Sequence, residues 1–357
     1  MSDINNTHTG HHEKLELFTQ RKQDHIRLSL DDSHQTQGQS EIDKVELIHE
    51  ALPEINFEEI HISQQRLGDE GKTPFLISSM TAGHNDSSRL NALLAKAASE
   101  KGWLMGVGSQ RRELGDEKAA EEWRRVRAQA PQAELLGNIG ISQLIYTSVD
   151  KIEKLVDSLE AKAMIVHTNP LQEALQVEGT PYFKGGLKAL EQLVKQLSVP
   201  VILKETGCGF SQRTLKQVRE AGVDVVDVSG LGGTHWGRIE ASRAGQDSLQ
   251  ERAGANFANW GISTLQSLIN AKEVKGEFEI WASGGVRTGI DAAKYLAMGA
   301  KVVGFAQPII KAAMESEEAL NQFMEQVEYE LKIAMFCTGC VSLQNLYQKG
   351  VWTWKQH

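Results

Sequence analysis

Short runs of aliphatic and β-branched residues alternate with amphipathic stretches along most of the chain, and this rhythm restricts the fold more than any other feature. The runs that predict strands cover residues 74–80, 104–108, 134–137, 163–167, 200–204, 224–229, 278–283 and 301–305. Helical patterns follow each run, as at residues 86–101 and 291–298, and Gly102 and Gly299 stand where helix C-caps favour glycine. Eight strand–helix units within 357 residues predict an α/β fold of the (β/α)8 barrel type, with an open doubly wound sheet as the alternative.

The predicted units divide the chain into a tail and one domain. We expect residues 1–14 to be a disordered tail and residues 15–357 to form a single barrel domain. Within it, residues 15–73 form a cap, 74–313 the barrel core and 314–357 the closing helices. The two longest connections, at residues 168–186 and 230–254, follow the fourth and sixth strands, so they are predicted to be ligand loops or lids at the C-terminal face of the barrel.

Composition excludes several classes of protein. Hydrophobic residues make up 40% and charged residues 24% of the chain, and no run reaches the roughly 18 apolar residues of a membrane helix. The polar residues 1–14 carry no apolar signal region, and three cysteines are too few for a disulfide scaffold, so we expect a cytoplasmic protein. A net charge of −9 argues against nucleic-acid or membrane-surface binding, so anionic ligands must meet local cation clusters.

The firmest local signal for a ligand is the glycine-rich turn Ser283-Gly284-Gly285-Val286-Arg287 after the seventh strand. Glycines allow backbone N–H groups to approach an anion, the following helix adds the positive end of its dipole, and Arg287 adds a forked cation. Loops after strands seven and eight form the usual phosphate site of this barrel. The turn therefore predicts phosphate binding without specifying a reaction.

Lys204 ends the apolar fifth strand, where an unpaired ammonium group would be costly. It either pairs with a neighbouring carboxylate or faces a flavin ring, where it would stabilise negative charge on the reduced form. Both interpretations place Lys204 at the mouth of the barrel.

With these residues assembled, the chain resembles the type II isopentenyl diphosphate isomerases, a flavin-dependent family, over about residues 18–350. The resemblance is carried by five motifs, of which the first and fourth distinguish this family from other flavin barrels. They are Arg21-Lys22-Gln23-Asp24-His25, Ser79-Met80-Thr81-Ala82-Gly83, Gly108-Ser109-Gln110-Arg111, His167-Thr168-Asn169-Pro170-Leu171-Gln172-Glu173 and Gly232-Gly233-Thr234.

The resemblance implies three sets of site residues. Those implied to bind the substrate, chiefly its diphosphate, are Arg21, Lys22, His25, Ser109, Gln110, Arg111, Asn169 and Gln172. Those implied to hold flavin mononucleotide (FMN) are Met80, Thr81, Ala82, Ser109, Asn138, Lys204, Ser229, Thr234, Gly285, Val286, Arg287, Ala306 and Gln307. Glu173 is implied to bind Mg²⁺, and His167, Gln172 and Lys204 are the implied catalytic residues.

The family's activity is the interconversion of isopentenyl and dimethylallyl diphosphate in isoprenoid biosynthesis. One proton is added and another removed, so the reaction has no net redox change, and reduced FMN assists it. The resemblance further implies NADPH as a cofactor and a homo-oligomer, either a tetramer or an octamer.

The sequence leaves three alternatives open. An FMN-dependent oxidoreductase of the hydroxy-acid oxidase or glutamate synthase kind would share the phosphate site, but it would need a His-Gly base motif near the seventh strand or an iron–sulfur cysteine set. An enzyme like inosine-phosphate dehydrogenase would use Cys208 as a nucleophile. A flavin-binding barrel without catalysis would bind the cofactor and show no turnover.

Overall fold

Eight parallel strands close into a barrel in this computed structural model, which describes residues 21–80, 87–274 and 276–356. In chain order they are β1 (Phe75–Ile77), β2 (Leu104–Gly106), β3 (Glu134–Gly140), β4 (Ala163–Thr168), β5 (Val201–Glu205), β6 (Val225–Asp227), β7 (Glu279–Ala282) and β8 (Val302–Phe305). Each strand pairs with the next along the chain, and β8 pairs with β1. The (β/α)8 prediction is confirmed, and each observed strand lies at a predicted run.

A helix follows every strand and packs against the outside of the barrel. From β1 to β8 these helices are Ser87–Lys101, Glu117–Gln129, Val149–Leu159, Gly186–Gln196, Gln212–Glu220, Thr264–Val274, Gly289–Ala297 and Gln307–Glu315. Strand residues alternate between two apolar cores, since Phe75 and Ile77 face the helices whereas Leu76 faces the barrel interior. The strands are apolar on both faces because helices cover one face and the barrel interior the other.

The interior of the barrel has an apolar lower layer and a polar upper layer. The lower layer includes Leu136, Ile165, Ile202, Val225 and Trp281, all buried. Two residues further along the same strands, and therefore on the same face, lie the polar residues Asn138, His167, Lys204, Asp227 and Ser283. The alternation of side chains therefore positions a ring of polar groups at the C-terminal mouth.

The N-terminal end of the barrel is covered by an antiparallel hairpin of Gln64–Arg66 and Asp69–Lys72. Its Leu67 packs against the interior core, and the buried Arg66 pairs with Glu134 of β3 at 2.7 Å. Arg66 also donates to the carbonyl groups of Thr73 and Gly102. The guanidinium group thus satisfies most of its hydrogen-bonding capacity inside the protein.

Several elements differ from the predictions. The connections predicted as loops contain the helices Pro170–Leu175 after β4 and Trp236–Arg243 and Leu249–Asn256 after β6. After the closing helices Glu317–Cys337 and Leu343–Gln348, the strand Trp352–Trp354 pairs with Val45–Leu47 of the cap. The remaining elements are a helix over residues 21–29 and four short helices, Asp32–His34, Ile42–Lys44, Phe57–Glu59 and Ile141–Leu144. The predicted tail, residues 1–14, lies outside the described residues.

No helix within the described ranges has the length and apolar character that crossing a bilayer requires.

Replacing Arg66 with Met is expected to lower the free energy of unfolding by about 2 kcal/mol. Glu134 keeps its ion pair with Lys72, but it loses Arg66, and the Thr73 and Gly102 carbonyl groups lose a buried donor. Chemical denaturation measures this difference. As a control, Arg124→Met removes the exposed pair with Glu121 and should change the free energy by less than about 0.5 kcal/mol. Equal effects of the two substitutions would contradict the assigned role of Arg66.

Candidate active site

A deep cleft opens at the C-terminal mouth of the barrel and encloses about 1400 Å³, counting the part that is open to solvent. Its floor is formed by strand ends and its walls by the loops that follow β1 to β8 together with the helical residues 21–29. Concave sites that combine apolar and convergent polar groups at this face are where barrels bind ligands and carry out chemistry.

A buried network of three side chains forms part of the floor. The Lys204 ammonium group pairs with Asp227 and donates to Ser283 Oγ at 2.7 Å, and Ser283 donates to the other Asp227 oxygen at 2.8 Å. Glu205, the next residue along the chain, instead accepts hydrogen bonds from the backbone N–H groups of residues 207–209. Asp227 is therefore the carboxylate partner that the position of Lys204 predicts, and Lys204 still lines the cleft.

The loops after β7 and β8 form an anion cradle at one end of the cleft. Gly284 and Gly285 both have φ near +92°, and a Cβ on Gly285 would lie 2.5 Å from the Gly232 carbonyl. Arg287 Nη1 donates to the carbonyl groups of Gly232 and Gly285, which joins the loops after β6 and β7. The helix Gln307–Glu315 points its N-terminus at the cleft without a side-chain cap, so the free N–H groups of its first turn can bind an anion, apart from Pro308, which has none.

His167 presents one defined ring nitrogen to the cleft. Asn138 Nδ2 donates to the Val107 carbonyl at 2.9 Å, so Asn138 Oδ1 must face His167 Nδ1, 2.7 Å away. Nδ1 therefore carries the proton and Nε2 keeps its lone pair. Burial, reinforced by the charges of Lys22 and Lys204, lowers the pKa of His167 to about 4. The imidazole is neutral at pH 7 and acts as a hydrogen-bond acceptor.

A cluster of cations lines another part of the wall. It consists of Arg21 and Lys22 on the N-terminal helix and Arg111 on the loop after β2. Burial and the charge of Arg21 lower the pKa of Lys22 to about 8, and burial also lowers the pKa of Arg21, with Arg111 adding to both effects. Glu178 and Glu240 offset part of this desolvation and repulsion, and a polyanion bound beside the cations would offset more of it.

The carboxylate of Glu240, 1% exposed, connects three segments around the cleft. Its Oε1 accepts hydrogen bonds from His25 Nε2 at 2.8 Å and from Gln172 Nε2 at 3.0 Å, and its Oε2 accepts one from Arg243 at 2.6 Å. Burial lowers the pKa of His25 although Glu240 opposes the shift, so His25 is a neutral donor at pH 7. Glu240 fixes the orientation of both His25 and Gln172 toward the cleft.

Most of the site residues predicted from the sequence line this cleft. Those that line it are Arg21, Lys22, His25, Met80, Ser109, Arg111, Asn138, His167, Gln172, Glu173, Lys204, Ser229, Thr234, Gly285, Val286, Arg287, Ala306 and Gln307. Thr81 and Ala82 lie outside the described residues. The structure brings these residues together in one cleft, which is a statement about their position and not about their roles.

Two nominated residues lie behind the wall instead of lining it. Gln110 is fully buried, and its Oε1 accepts from the Asn138 backbone N–H while its own N–H donates to the Asn138 carbonyl. Asn169 caps the helix Pro170–Leu175 by accepting from the Gln172 N–H at 2.9 Å. Both side chains were expected to contact substrate, and in this structure they are used to hold Asn138 and Gln172 in place.

Several cleft residues were missed by sequence reasoning. Gln35, Gln143 and Gln176 line the cleft, and Asp227 and Glu240 hold residues that do. Asp227 could have been found, because it precedes Ser229 by two residues and so shares its side of β6. The three glutamines and Glu240 carry no local signal, since their positions depend on tertiary contacts.

The cleft suits a flavin nucleotide because it contains polar groups without hydrogen-bond partners and a surface kept open by glycine. Ser78 Oγ and Ser79 Oγ are buried and have no hydrogen-bond partner within the described part of the chain, although both residues line the cleft. A Cβ at Gly304 would lie 2.5 Å from Ser78 Oγ, so only glycine leaves this surface open. The glycine cradle with Arg287 would hold the phosphate, and Lys204 and Asn138 would face the ring.

A divalent cation would have one protein carboxylate in the cleft. Glu173 is half-buried, and its Oε2 accepts from the Thr180 N–H at 2.6 Å. Among the residues that the structure describes, no group of three or more His, Cys, Asp or Glu side chains could hold a metal ion. This donor set fits Mg²⁺, which keeps several waters and is commonly held by one or two carboxylates plus ligand phosphates.

Binding of inorganic diphosphate to the cation cluster should depend on pH through Lys22. A bound polyanion raises the pKa of Lys22 from about 8, so binding above pH 8 takes up a proton. In that range the affinity for diphosphate falls by up to about tenfold per pH unit. Below about pH 7 Lys22 is already protonated and contributes no pH dependence. Isothermal titration calorimetry in buffers of different ionisation enthalpy measures both quantities.

The matched variant is Lys22→Arg, which keeps its charge throughout this range. The titration of the diphosphate itself is the same for both proteins and cancels in the comparison. Identical pH profiles for the two proteins would contradict the assignment.

Comparison with known proteins places this architecture in a family. A family model described as FMN-dependent dehydrogenase matches residues 176–353. A flavocytochrome b2 variant with bound pyruvate superimposes with a TM-score of 0.67 at 17% identity, covering 90% of this chain and 79% of that one, which supports the barrel fold alone.

Two curated relatives are similar over nearly their whole length. Both are named isopentenyl-diphosphate delta-isomerase. The protein from Bdellovibrio bacteriovorus is 54% identical over 94% of this chain and 97% of its own, and that from Legionella pneumophila strain Corby is 52% identical over 93% and 97%. At this identity and coverage, the chain belongs to the isopentenyl-diphosphate delta-isomerase family.

Proposed function

We propose that this protein is an isomerase that interconverts isopentenyl diphosphate and dimethylallyl diphosphate with bound, reduced FMN. The observation that carries the proposal is one cleft lined by two sets of groups suited to anions. The glycine cradle and Arg287 suit the single phosphate of FMN, whereas Arg21, Lys22 and Arg111 suit a diphosphate. A cofactor and an anionic substrate can therefore occupy the cleft together.

The reaction moves a carbon–carbon double bond by adding a proton at one carbon and removing a proton at another. When bound, reduced FMN supplies acid–base chemistry at the N5 edge of its ring. The residues of this chain hold the two ligands, orient the allyl unit and exclude water. The redox state of substrate and product is the same, so the chain needs no second redox centre.

We assign the diphosphate to Arg21, Lys22, Ser109 and Arg111. His25 lies beside this group, but its single N–H as a neutral ring is donated to Glu240, so it would donate to the diphosphate from Nδ1 only after gaining a proton on ligand binding. Arginine forks and ammonium groups neutralise the several negative charges of this group. Glu173 would hold Mg²⁺, which would neutralise further negative charge on the diphosphate. Gln110 contributes indirectly by holding Asn138 in place.

We assign the reacting part of the substrate to His167 and Gln172. His167 offers the Nε2 lone pair as a neutral acceptor and, with a pKa of about 4, does not act as a cationic acid at pH 7. The Gln172 amide nitrogen faces Glu240, which fixes the plane of the amide. Asn169 keeps Gln172 in place by capping its helix.

We assign the flavin ring to Lys204 and Asn138, and the phosphate to residues 285–287 with Ala306 and Gln307. Met80, Ser109, Ser229 and Thr234 would complete the cofactor site, together with Thr81 and Ala82. Lys204 is the only ammonium group we place beside the ring, and its charge favours the reduced, anionic flavin. Asp227 holds that charge in a fixed position.

Further features of the proposal derive from the family resemblance. We propose NADPH as the reductant of the flavin, a homo-oligomer as the assembled form, a cytoplasmic location and a single barrel domain over residues 15–357.

The nucleophile alternative has physical evidence against it. Burial and the charge of Glu205 raise the pKa of the Cys208 thiol, so Cys208 stays protonated at neutral pH.

The oxidoreductase alternative lacks its base. The end of β7 reads Trp281-Ala282-Ser283-Gly284 and offers no histidine base of the hydroxy-acid oxidase kind. The isomerase proposal needs neither a cysteine nucleophile nor a histidine base at the end of β7.

An anaerobic assay with isopentenyl diphosphate, Mg²⁺, FMN and NADPH tests the function directly, with dimethylallyl diphosphate measured as the product. We expect product only when the flavin is reduced and Mg²⁺ is present. Dithionite in place of NADPH distinguishes the need for reduction from the identity of the reductant, and a chelator tests the metal. Absence of product from a protein that binds reduced FMN would contradict the proposal and favour a barrel that only binds flavin.

The Lys204 assignment is tested with a charge-neutral double variant. Lys204→Met alone leaves Asp227 buried without an ionic partner, so stability would fall for reasons unrelated to catalysis. Lys204→Met combined with Asp227→Asn removes both charges and should fold, while turnover falls by at least about 100-fold because a preorganised charge is lost. Lys195→Met, at an exposed position, is the control. Wild-type turnover in the double variant would refute the assignment.

A further inference from the structure

Gln35 lies in the cleft wall although it belongs to the segment that follows the N-terminal helix. It forms an antiparallel bridge with Thr234, and its neighbour Thr36 donates from its backbone N–H to the Gly233 carbonyl at 2.8 Å. Thr36 Oγ1 in turn accepts from the Gly232 N–H at 2.8 Å. The backbone at Gln35 is therefore held firmly against the glycine loop that follows β6.

The orientation of the Gln35 amide group follows from its partners. Nε2 donates to the Ser29 carbonyl at 2.8 Å and to Thr234 Oγ1 at 3.1 Å. A carbonyl oxygen only accepts, so the nitrogen must face Ser29 and the opposite orientation is excluded. Gln35 is 4% exposed, and its Oε1 has no hydrogen-bond partner among residues 21–80, 87–274 and 276–356. Gln35 lines the cleft, and a buried acceptor without a donor is costly until a ligand that reaches it supplies one.

The chemistry of the two proposed ligands identifies the source of that donor. Isopentenyl diphosphate consists of a hydrocarbon and a diphosphate whose ionised oxygens only accept hydrogen bonds. FMN carries donors in the three hydroxyl groups of its ribityl chain and in ring N–H groups. The acceptor at Gln35 therefore matches the cofactor and not the substrate.

The position of Gln35 favours the ribityl chain over the ring. Gln35 donates to Thr234, and the preceding residue, Gly233, packs closely on the phosphate cradle. A Cβ on Gly233 would lie only 2.7 Å from the backbone nitrogen of Gly285. The ribityl chain connects the phosphate to the ring, so its hydroxyl groups are the FMN donors nearest this loop.

We propose that Gln35 Oε1 accepts a hydrogen bond from a ribityl hydroxyl group of bound FMN, which makes Gln35 a positioning residue for the cofactor. This inference rests on FMN as the cofactor, as given under Proposed function. Gln35 would act on the reaction only through the position of the flavin. Its second role, joining Ser29 to Thr234, couples that position to the N-terminal helix that carries Arg21 and Lys22.

Three FMN analogues, each lacking the 2′, 3′ or 4′ hydroxyl group, test the contact. Their dissociation constants with the wild-type protein and with Gln35→Met are measured by quenching of flavin fluorescence. We expect one analogue to bind the wild-type protein roughly tenfold more weakly than FMN does. In Gln35→Met the ratio for the same analogue should be close to one, because the acceptor is absent.

The ratio separates a direct contact from a structural role. If Gln35 only supported the loop, Gln35→Met would weaken FMN and the analogue equally and leave the ratio unchanged, which would overturn the inference. Gln37→Met, at an exposed position in the same segment, should keep the wild-type ratio.

The wild-type series is decisive even if Gln35→Met fails to fold. If all three analogues bind the wild-type protein as tightly as FMN, the inference is overturned while FMN binding and the proposed function stand. If the wild-type protein binds no FMN, the proposed function and this inference fail together.

Discussion

The ion pair between Lys204 and Asp227 is the interaction on which the floor of the cleft depends. Both groups are almost fully buried in the upper layer of the barrel interior, and Ser283 satisfies a further hydrogen bond of each. A lone charge in this position would be strongly destabilising, and the pair is tolerated because adjacent strands hold both groups in register. The closed barrel thereby places an ammonium group at a fixed point in a desolvated cleft.

The wall of the cleft carries a second electrostatic feature, a cluster of cations. Arg21 and Lys22 are half-buried, and desolvation together with repulsion between cations lowers their pKa values although Glu178 and Glu240 oppose the shifts. In a chain with a net charge of −9 this local cationic cluster stands out, and it gives an anionic ligand a specific destination. His167 and His25, by contrast, are held neutral, so the cations and the neutral donors and acceptors have separate functions in the site.

The strands and the phosphate turn could be predicted because their signals are local. A buried parallel strand requires an apolar run, and a backbone close to an anion requires glycine, so both features appear within a few consecutive residues. Gln35 and Glu240 could not be predicted in this way, since Gln35 meets Thr234 across 199 positions and His25 meets Glu240 across 215. Gln110 and Asn169 belong to recognisable motifs, yet only the structure shows that their side chains support neighbours. The strand Trp352–Trp354 was missed because its partner lies at the other end of the chain.

The most direct test of the central claim, an isomerisation without net redox change, follows the flavin and the product together. Holoenzyme reduced once with dithionite is mixed anaerobically with Mg²⁺ and a large excess of isopentenyl diphosphate. We predict that dimethylallyl diphosphate accumulates over many turnovers while the oxidised-flavin absorbance stays absent. Reoxidation of the flavin in proportion to the substrate consumed would contradict the account and identify an oxidoreductase.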